Sequence, residues 1–222
     1  MAHRRMMPRI IAIDGPAGSG KSSVSKQVAR RLGFGYLDTG AAYRALAWAS
    51  LEFPKFALEN IANLDLDRDF KYAISLDPDE FSVKVGDTDV TDEIRLPRVA
   101  EYVSKVAAIP SVREYMKRLS DRLVNTANFP GVVVEGRDIT TVVFPDAENR
   151  LLLTASEAVR LKRRSAELTQ EQAKNLASQV SERDASDSKV VQFMTPAPGV
   201  HLVDTSELNF EESVEAVLAL IK

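Results

Sequence analysis

The stretch Gly15-Pro16-Ala17-Gly18-Ser19-Gly20-Lys21-Ser22 constrains this chain more than any other. It has the spacing G-x-x-x-x-G-K-[ST]. It follows the apolar run Ile10-Ile11-Ala12-Ile13 and precedes a helical pattern that starts near Lys21. Strand, glycine-rich turn and helix in that order make a phosphate-binding loop. The glycines let the backbone curl so that successive N–H groups point inward, and the helix N-terminus behind them carries partial positive charge. In such a loop Lys21 reaches the β- and γ-phosphates of a nucleoside triphosphate, and the Ser22 hydroxyl sits on Mg²⁺. The loop implies triphosphate binding and leaves the reaction open.

Composition narrows the class. The chain has 222 residues, enough for one sizeable core, and a net charge of −3, so no global basic field argues for nucleic acid or an anionic membrane. It has no cysteine, which removes disulfides, thiolate nucleophiles and Cys-based zinc sites. The two histidines, His3 and His201, are far apart in sequence and suggest no catalytic pair. No apolar run approaches the ~18 residues of a membrane span. The basic start, Met1 to Pro8, lacks the apolar stretch of a signal peptide. The expectation is a cytoplasmic monomer that binds neither nucleic acid nor membrane.

Hydropathy patterning places the remaining elements. Val24, Val28 and Leu32 recur at steps of four, and Gly33 is a natural helix stop. A short strand from Phe34 to Leu37 runs into Asp38-Thr39-Gly40. A helix from Ala41 to Leu51 follows, with Asp38 or Thr39 placed to cap it and Pro54 to end it. From about Asp65 the texture changes to short alternating runs, Phe70 to Leu76, Phe81 to Val85 and Thr88 to Val90, separated by turn residues. That is a small antiparallel meander. Two helices follow it, one opening at Pro97 and one at Ser111, where Glu114 completes a capping-box pattern. Gly131 to Val134 returns to a buried strand that ends at Glu135-Gly136-Arg137-Asp138, with Asp138 placed as the N-cap of a short helix. Arg150 to Leu153 and Val200 to Val203 are further strands. Ser156 opens a helix ending in the basic cluster Arg160, Lys162, Arg163 and Arg164. Asn209 with Glu212 opens the last helix, with Phe210, Val214, Val217, Leu218 and Ile221 facing inward.

About five buried strands separated by helices predict an α/β fold, a three-layer arrangement around a five-stranded parallel sheet. The expected organisation is one domain: a core over about 9–64 and 126–222, an insert over about 65–125, and a helical lid over about 163–188. In such sheets functional residues gather beyond the carboxyl ends of the strands. A triphosphate loop serves a switch, a motor or a kinase. No Asn-Lys-x-Asp stretch reads guanine here, and a motor usually needs a larger chain. A small kinase needs a cationic acceptor pocket and mobile positive side chains. Arg44, Arg113 and Arg137 suit the first, and Arg163, Arg164 and Arg183 the second.

Four segments then resemble the bacterial-type cytidylate kinases within the P-loop NTPases: Ile13 to Ser23; Leu37-Asp38-Thr39-Gly40-Ala41-Ala42-Tyr43-Arg44; Glu135-Gly136-Arg137-Asp138 with Thr141 to Ala147; and Arg183-Asp184-Ala185-Ser186-Asp187-Ser188. The resemblance runs in order along nearly the whole chain and implies an Mg²⁺-dependent transfer of the ATP γ-phosphoryl to CMP or dCMP. UMP, AMP or a small-metabolite acceptor is the alternative for a small P-loop kinase, and a nucleotide-dependent switch or binding protein the alternative outside that class. It implies a donor site of residues 15–23 with Arg163, Ser22 holding the metal. Thr39, Tyr43, Arg44, Ser104, Arg113, Gly136, Arg137, Asp138, Arg183 and Asp187 would form the acceptor site. Of these, Ser104, Arg113 and Asp138 would contact cytosine, and Arg44 and Arg137 would face the phosphate. Lys21, Arg137, Arg163 and Arg183 would act in catalysis. The sequence departs from the family where an arginine is usual and Val190 stands, with Lys189 beside it, where Thr141 replaces a glycine, and in a shorter stretch between Arg164 and Arg183.

Overall fold

The computed structural model describes residues 8–166 and 195–221. Strand β1 (Arg9–Asp14) is the centre of a five-stranded sheet. Four further strands join it: β2 (Gly35–Asp38), β6 (Gly131–Gly136), β7 (Asn149–Thr154) and β8 (His201–Asp204). The order is β2-β6-β1-β7-β8, and every neighbouring pair is parallel. This is the α/β fold of the P-loop NTPases. The continuous apolar runs are explained by burial on both faces. Ile11 and Ile13 of β1 pack on one side with Val24 and Val28 of α1 (Lys21–Leu32) and with Val214 and Val217 of α8 (Phe210–Leu218). Ala12 packs on the other side with Val124, Ile139 and Phe144.

Local rules set the element ends. Helix α1 stops at Gly33, which adopts φ 64, a conformation that favours glycine. Helix α2 (Thr39–Glu52) is capped by Asp38, whose carboxylate accepts the Ala41 N–H at 3.1 Å. Ala41, Ala42, Ala45, Leu46, Ala47, Trp48 and Ala49 are all buried, so α2 is apolar nearly all round. The reason is its position between the main sheet and the segment inserted after it.

That segment begins with two single helical turns, α3 (Leu58–Ile61) and α4 (Leu66–Asp69). A three-stranded antiparallel sheet follows, β3 (Tyr72–Ile74), β4 (Val83–Val85) and β5 (Thr88–Asp89). Helices α5 (Pro97–Ala107) and α6 (Pro110–Thr126) complete it. Val83, Val90, Ile94, Val99, Val103 and Val106 share one core with α2. Helix α6 starts one residue before the sequence pattern places it. Proline at its first turn supplies the helical φ, and the Ser111 hydroxyl donates to Ala62 O at 3.3 Å instead of capping. The capping box of Asn209 and Glu212 forms as expected, but Phe210, expected inside, is 45% exposed at the first position of α8.

After β6 comes one turn of π-helix (Ile139–Val143), in which the Val143 N–H bonds Asp138 O at 3.1 Å and the Phe144 N–H bonds Ile139 O at 2.8 Å. Helix α7 (Glu157–Ala166) follows β7. The expected Arg183, Asp187, Lys189 and Val190, and nearly all of the expected lid, lie outside the described residues. No described helix is long and apolar enough to cross a membrane.

Ile11 is fully buried and lies away from the loop. Ile11→Ala is expected to cost about 2–5 kcal/mol of unfolding free energy in urea. A loss below about 1 kcal/mol would contradict this packing of the central strand.

Candidate active site

The glycine-rich loop leaves the carboxyl end of β1 and runs into α1. A Cβ on Gly15 would lie 2.2 Å from the Leu153 carbonyl oxygen, so only glycine lets the loop pass this close to β7. Gly18 and Gly20 hold φ 76 and 85, which side chains rarely adopt. Lys21 Nζ donates to Pro16 O at 3.3 Å, across the mouth of the loop. Ser22 and Ser23 are exposed at the start of α1. Ser19 is buried, and its hydroxyl has no hydrogen-bond partner.

Two arginines of α7 brace the loop from outside. Arg160 Nη1 donates to Ala17 O at 3.0 Å. Arg163 Nη1 donates to Ser19 O at 3.2 Å and to the Thr205 hydroxyl at 2.9 Å, and its Nη2 donates to Thr205 O at 2.8 Å and Leu208 O at 3.3 Å. Arg163, expected as a mobile cation of the lid, therefore ties the loop to the turn after β8 in this structure. Arg160 was legible only as one member of a basic cluster.

The acceptor-side residues come from the ends of β2 and β6 and from α2 and α6. Asp38 holds Arg44 at 2.6 Å. Burial pushes the Asp38 carboxyl up, but the Arg44 guanidinium outweighs it and holds the carboxyl below its ordinary range. The Thr39 hydroxyl donates to Glu135 O at 2.8 Å, joining α2 to β6. Arg113 of α6 pairs with Asp138 at 2.6 Å. Thr39, Tyr43, Arg113 and Asp138 line one concave pocket with the apolar groups of Met116 and Val143. Burial first, and then the Asp138 charge, push the Tyr43 phenol well up, so it stays a neutral donor. Gly136 admits no side chain, since a Cβ would meet Thr39 Oγ1 at 2.6 Å. Arg137 is half-buried in the turn directly beyond it. Ser104, half-buried on α5, does not line this pocket.

Asp138 does not cap the π-turn as the sequence pattern suggests; its side chain makes no cap bond there. The Asp14 carboxylate reaches across from β1 instead, accepting the Ile139 N–H at 2.8 Å and the Thr140 N–H at 2.9 Å. Asp138 is left to face Arg113.

Sequence reasoning missed Glu135 as a site residue. It is 2% exposed, it accepts the Tyr36 hydroxyl at 2.8 Å on Oε1, and its Oε2 has no hydrogen-bond partner. Burial first, then the Asp38 charge, raise its carboxyl above the ordinary range, against the pull of Lys21 and the nearby Ser22 hydroxyl. The available signal was an acid closing four apolar positions on the strand beside β1. A buried acid with an open oxygen next to the lysine and serine of a phosphate loop suits a divalent cation. Among the described residues no group of three His, Asp or Glu side chains could hold a metal.

Known proteins similar in sequence to this chain fall in one family. The cytidylate kinase family profile matches residues 11–222. The cytidylate kinase of Cutibacterium acnes is 41% identical over 223 residues, covering 96% of each chain. That of Bdellovibrio bacteriovorus is 41% identical over 220 residues, covering 97% of this chain and 99% of its own. A solved structure from Thermus thermophilus shares the fold, with a TM-score of 0.51 and 21% identity over 97% of this chain and 99% of its own. The profile spans nearly the whole chain and both loops that bear the site, and the chain belongs to the cytidylate kinase family.

Proposed function

We propose that this protein transfers the γ-phosphoryl group of ATP to CMP and dCMP, giving ADP and the nucleoside diphosphate. The observation that carries this is the Arg113–Asp138 pair at 2.6 Å in a concave pocket, one turn of chain from a strand that lies beside the phosphate loop. A cytosine edge offers an amino donor and two acceptors, so a carboxylate and a guanidinium side by side can read it. Thr39 and Tyr43 complete the wall. Arg44 and Arg137 serve the acceptor phosphate, where a planar fork suits a dianion better than an ammonium does. Ser104, which does not line the pocket, is assigned to the cytosine, and Arg183 and Asp187, outside the described residues, to the ribose and phosphates, by the family resemblance alone.

On the donor side the backbone of residues 15–23 and Lys21 hold the triphosphate. Arg163 acts there through the carbonyls it binds, keeping the loop and the 205–208 turn in place. Ser22 and the open oxygen of Glu135 fit a hydrated Mg²⁺. When bound, the ion would supply positive charge that offsets the negative charge of the triphosphate. The transfer is in-line and needs no general base, because the attacking oxygen is already an anionic phosphate oxygen. Asp38 and Asp138 therefore position arginines and base rather than take a proton. The same reading makes the protein a cytoplasmic monomer working on free nucleotides.

The direct test is ADP release from ATP with CMP, dCMP, UMP, AMP and shikimate as acceptors. CMP and dCMP are expected to be fastest, and a preference for AMP or shikimate would refute the reading. Arg137→Ala is expected to lower kcat/KM for CMP by about 100-fold, and Lys21→Ala by about 1000-fold. Wild-type rates in either variant would remove that residue from the site.

Glu135→Gln separates stability from function. The folded carboxyl titrates above its unfolded value of 4.5, so the native state binds more protons and stability falls as pH rises through that window. The Gln variant lacks this loss. Its Tm near pH 7.5 is expected to exceed that of the wild type, with the gap closing as pH falls below the ordinary carboxylate value of 4.5. It should also need more Mg²⁺ for half-maximal rate. An unchanged Mg²⁺ dependence would exclude Glu135 from the metal site.

A further inference from the structure

Asp14 is the last residue of β1 and the residue before Gly15 of the phosphate loop. It is 3% exposed, yet it carries a carboxylate where the preceding strand positions are Ile and Ala. Its backbone is in register with Gly136 of β6. Its side chain accepts the Ile139 N–H at 2.8 Å on Oδ1, and the Thr140 N–H at 2.9 Å and Thr140 hydroxyl at 2.6 Å on Oδ2. The two residues Arg137 and Asp138 therefore hang between two points that are both fixed to Asp14, one through the strand pairing and one through the carboxylate.

We propose that Asp14 is a positioning residue that sets the spacing between the donor loop and the acceptor-reading pair Arg137 and Asp138. This rests on the phosphoryl-transfer reading of the site. A short turn after β6 would ordinarily be capped by its own preceding acid, here Asp138. Asp14 supplies the cap from the neighbouring strand, and Asp138 is thereby available to Arg113 and the base. The same carboxylate makes the two pockets move as one body. A displacement of about 1 Å between reacting groups can cost about 100-fold in rate, so a shared anchor at this point bears directly on turnover. Retaining an ionisable group here is costly: burial, its largest influence, raises the Asp14 carboxyl above the ordinary range, and the nearby Asp138 charge adds to it, while the three bonds from residues 139 and 140 oppose it. A site that needed only packing would be filled more cheaply by an apolar residue.

The test is Asp14→Asn, with Thr140→Val and Thr140→Ser. Asparagine keeps the size but turns an amide N–H₂ toward groups that donate. The kinetic constants are measured for ATP and CMP well below each variant's Tm, together with ADP affinity by calorimetry. Asp14→Asn is expected to lower kcat/KM for CMP by about 10–100-fold with ADP affinity within about twofold of wild type. Thr140→Val should shift the same constants in the same direction by less, and Thr140→Ser, which keeps the hydroxyl, should restore them. Variants that lose only Tm while keeping wild-type constants would make Asp14 a purely structural residue and overturn the proposal. So would an equal loss of ADP and CMP binding. If Asp14→Asn does not fold, the two Thr140 variants decide the question. A wild-type enzyme inactive with CMP would instead refute the reading of the site itself.

Discussion

The parallel pairing of β1 with β6 is the constraint on which the rest of this molecule depends. It sets Asp14 opposite Gly136 and so brings two loops that are remote in sequence to the same edge of the sheet. One loop is a cradle of backbone N–H groups at a helix N-terminus. The other carries a guanidinium and a carboxylate on adjacent residues. Both pockets therefore follow from one ladder of hydrogen bonds, in a sheet whose faces are closed by α1 and α8 on one side and by α6 and the π-turn on the other. The inserted segment adds the missing wall. Helix α6 presents Arg113 to Asp138, and the buried helix α2 holds Thr39, Tyr43 and Arg44 between the insert and the sheet.

The electrostatics of the site repeat one device. Each acceptor-side arginine with a bond described here is held by a carboxylate, Arg44 by Asp38 and Arg113 by Asp138. Half-buried ion pairs of this kind contribute little net stability against their desolvation cost. Their value lies in orientation, since a planar guanidinium held through Nη2 by a fixed carboxylate keeps its remaining donors aimed in one direction. Among these carboxylates Glu135 is the exception. It is buried and pairs with no arginine, its Oε2 lacks a partner, and burial together with the Asp38 charge raises its carboxyl. That open oxygen beside the Ser22 hydroxyl, with the raised carboxyl, is what singles Glu135 out for the test of Mg²⁺ dependence.

The architecture was legible in the sequence because buried parallel strands leave continuous apolar runs, and Gly33, Asp38 and Asn209 mark element ends by local chemistry. The conformation of the glycine-rich loop was legible because it is written in consecutive residues, with Gly18 and Gly20 at positive φ between β1 and α1. What was not legible depends on contacts between strands. Asp138 looked like a helix cap because it immediately precedes the turn, whereas the true acceptor, Asp14, lies 125 residues away from Ile139 in sequence. Arg163 looked like a lid cation because its cluster is basic. Its environment, the carbonyls of Ser19, Thr205 and Leu208, comes from three separate segments. Glu135 was passed over because a search for phosphate partners looks for positive charge, whereas the proposed Mg²⁺ would call for a negative group as well. Phe210 shows the limit of helical periodicity: a first-turn position is not yet committed to the buried face.

In the proposed reaction the donor loop and the Arg113–Asp138 pocket are two halves of one site. A crystal structure with a bisubstrate analogue, cytidine and adenosine joined by five phosphates, tests it most directly. The expected result is cytosine against Arg113 and Asp138, the phosphate chain running past Arg137 and over Lys21, and the adenosine beyond the loop on the side of the 205–208 turn. Cytidine bound away from the Arg113–Asp138 pair, or a phosphate chain that bypasses the glycine-rich loop, would contradict it.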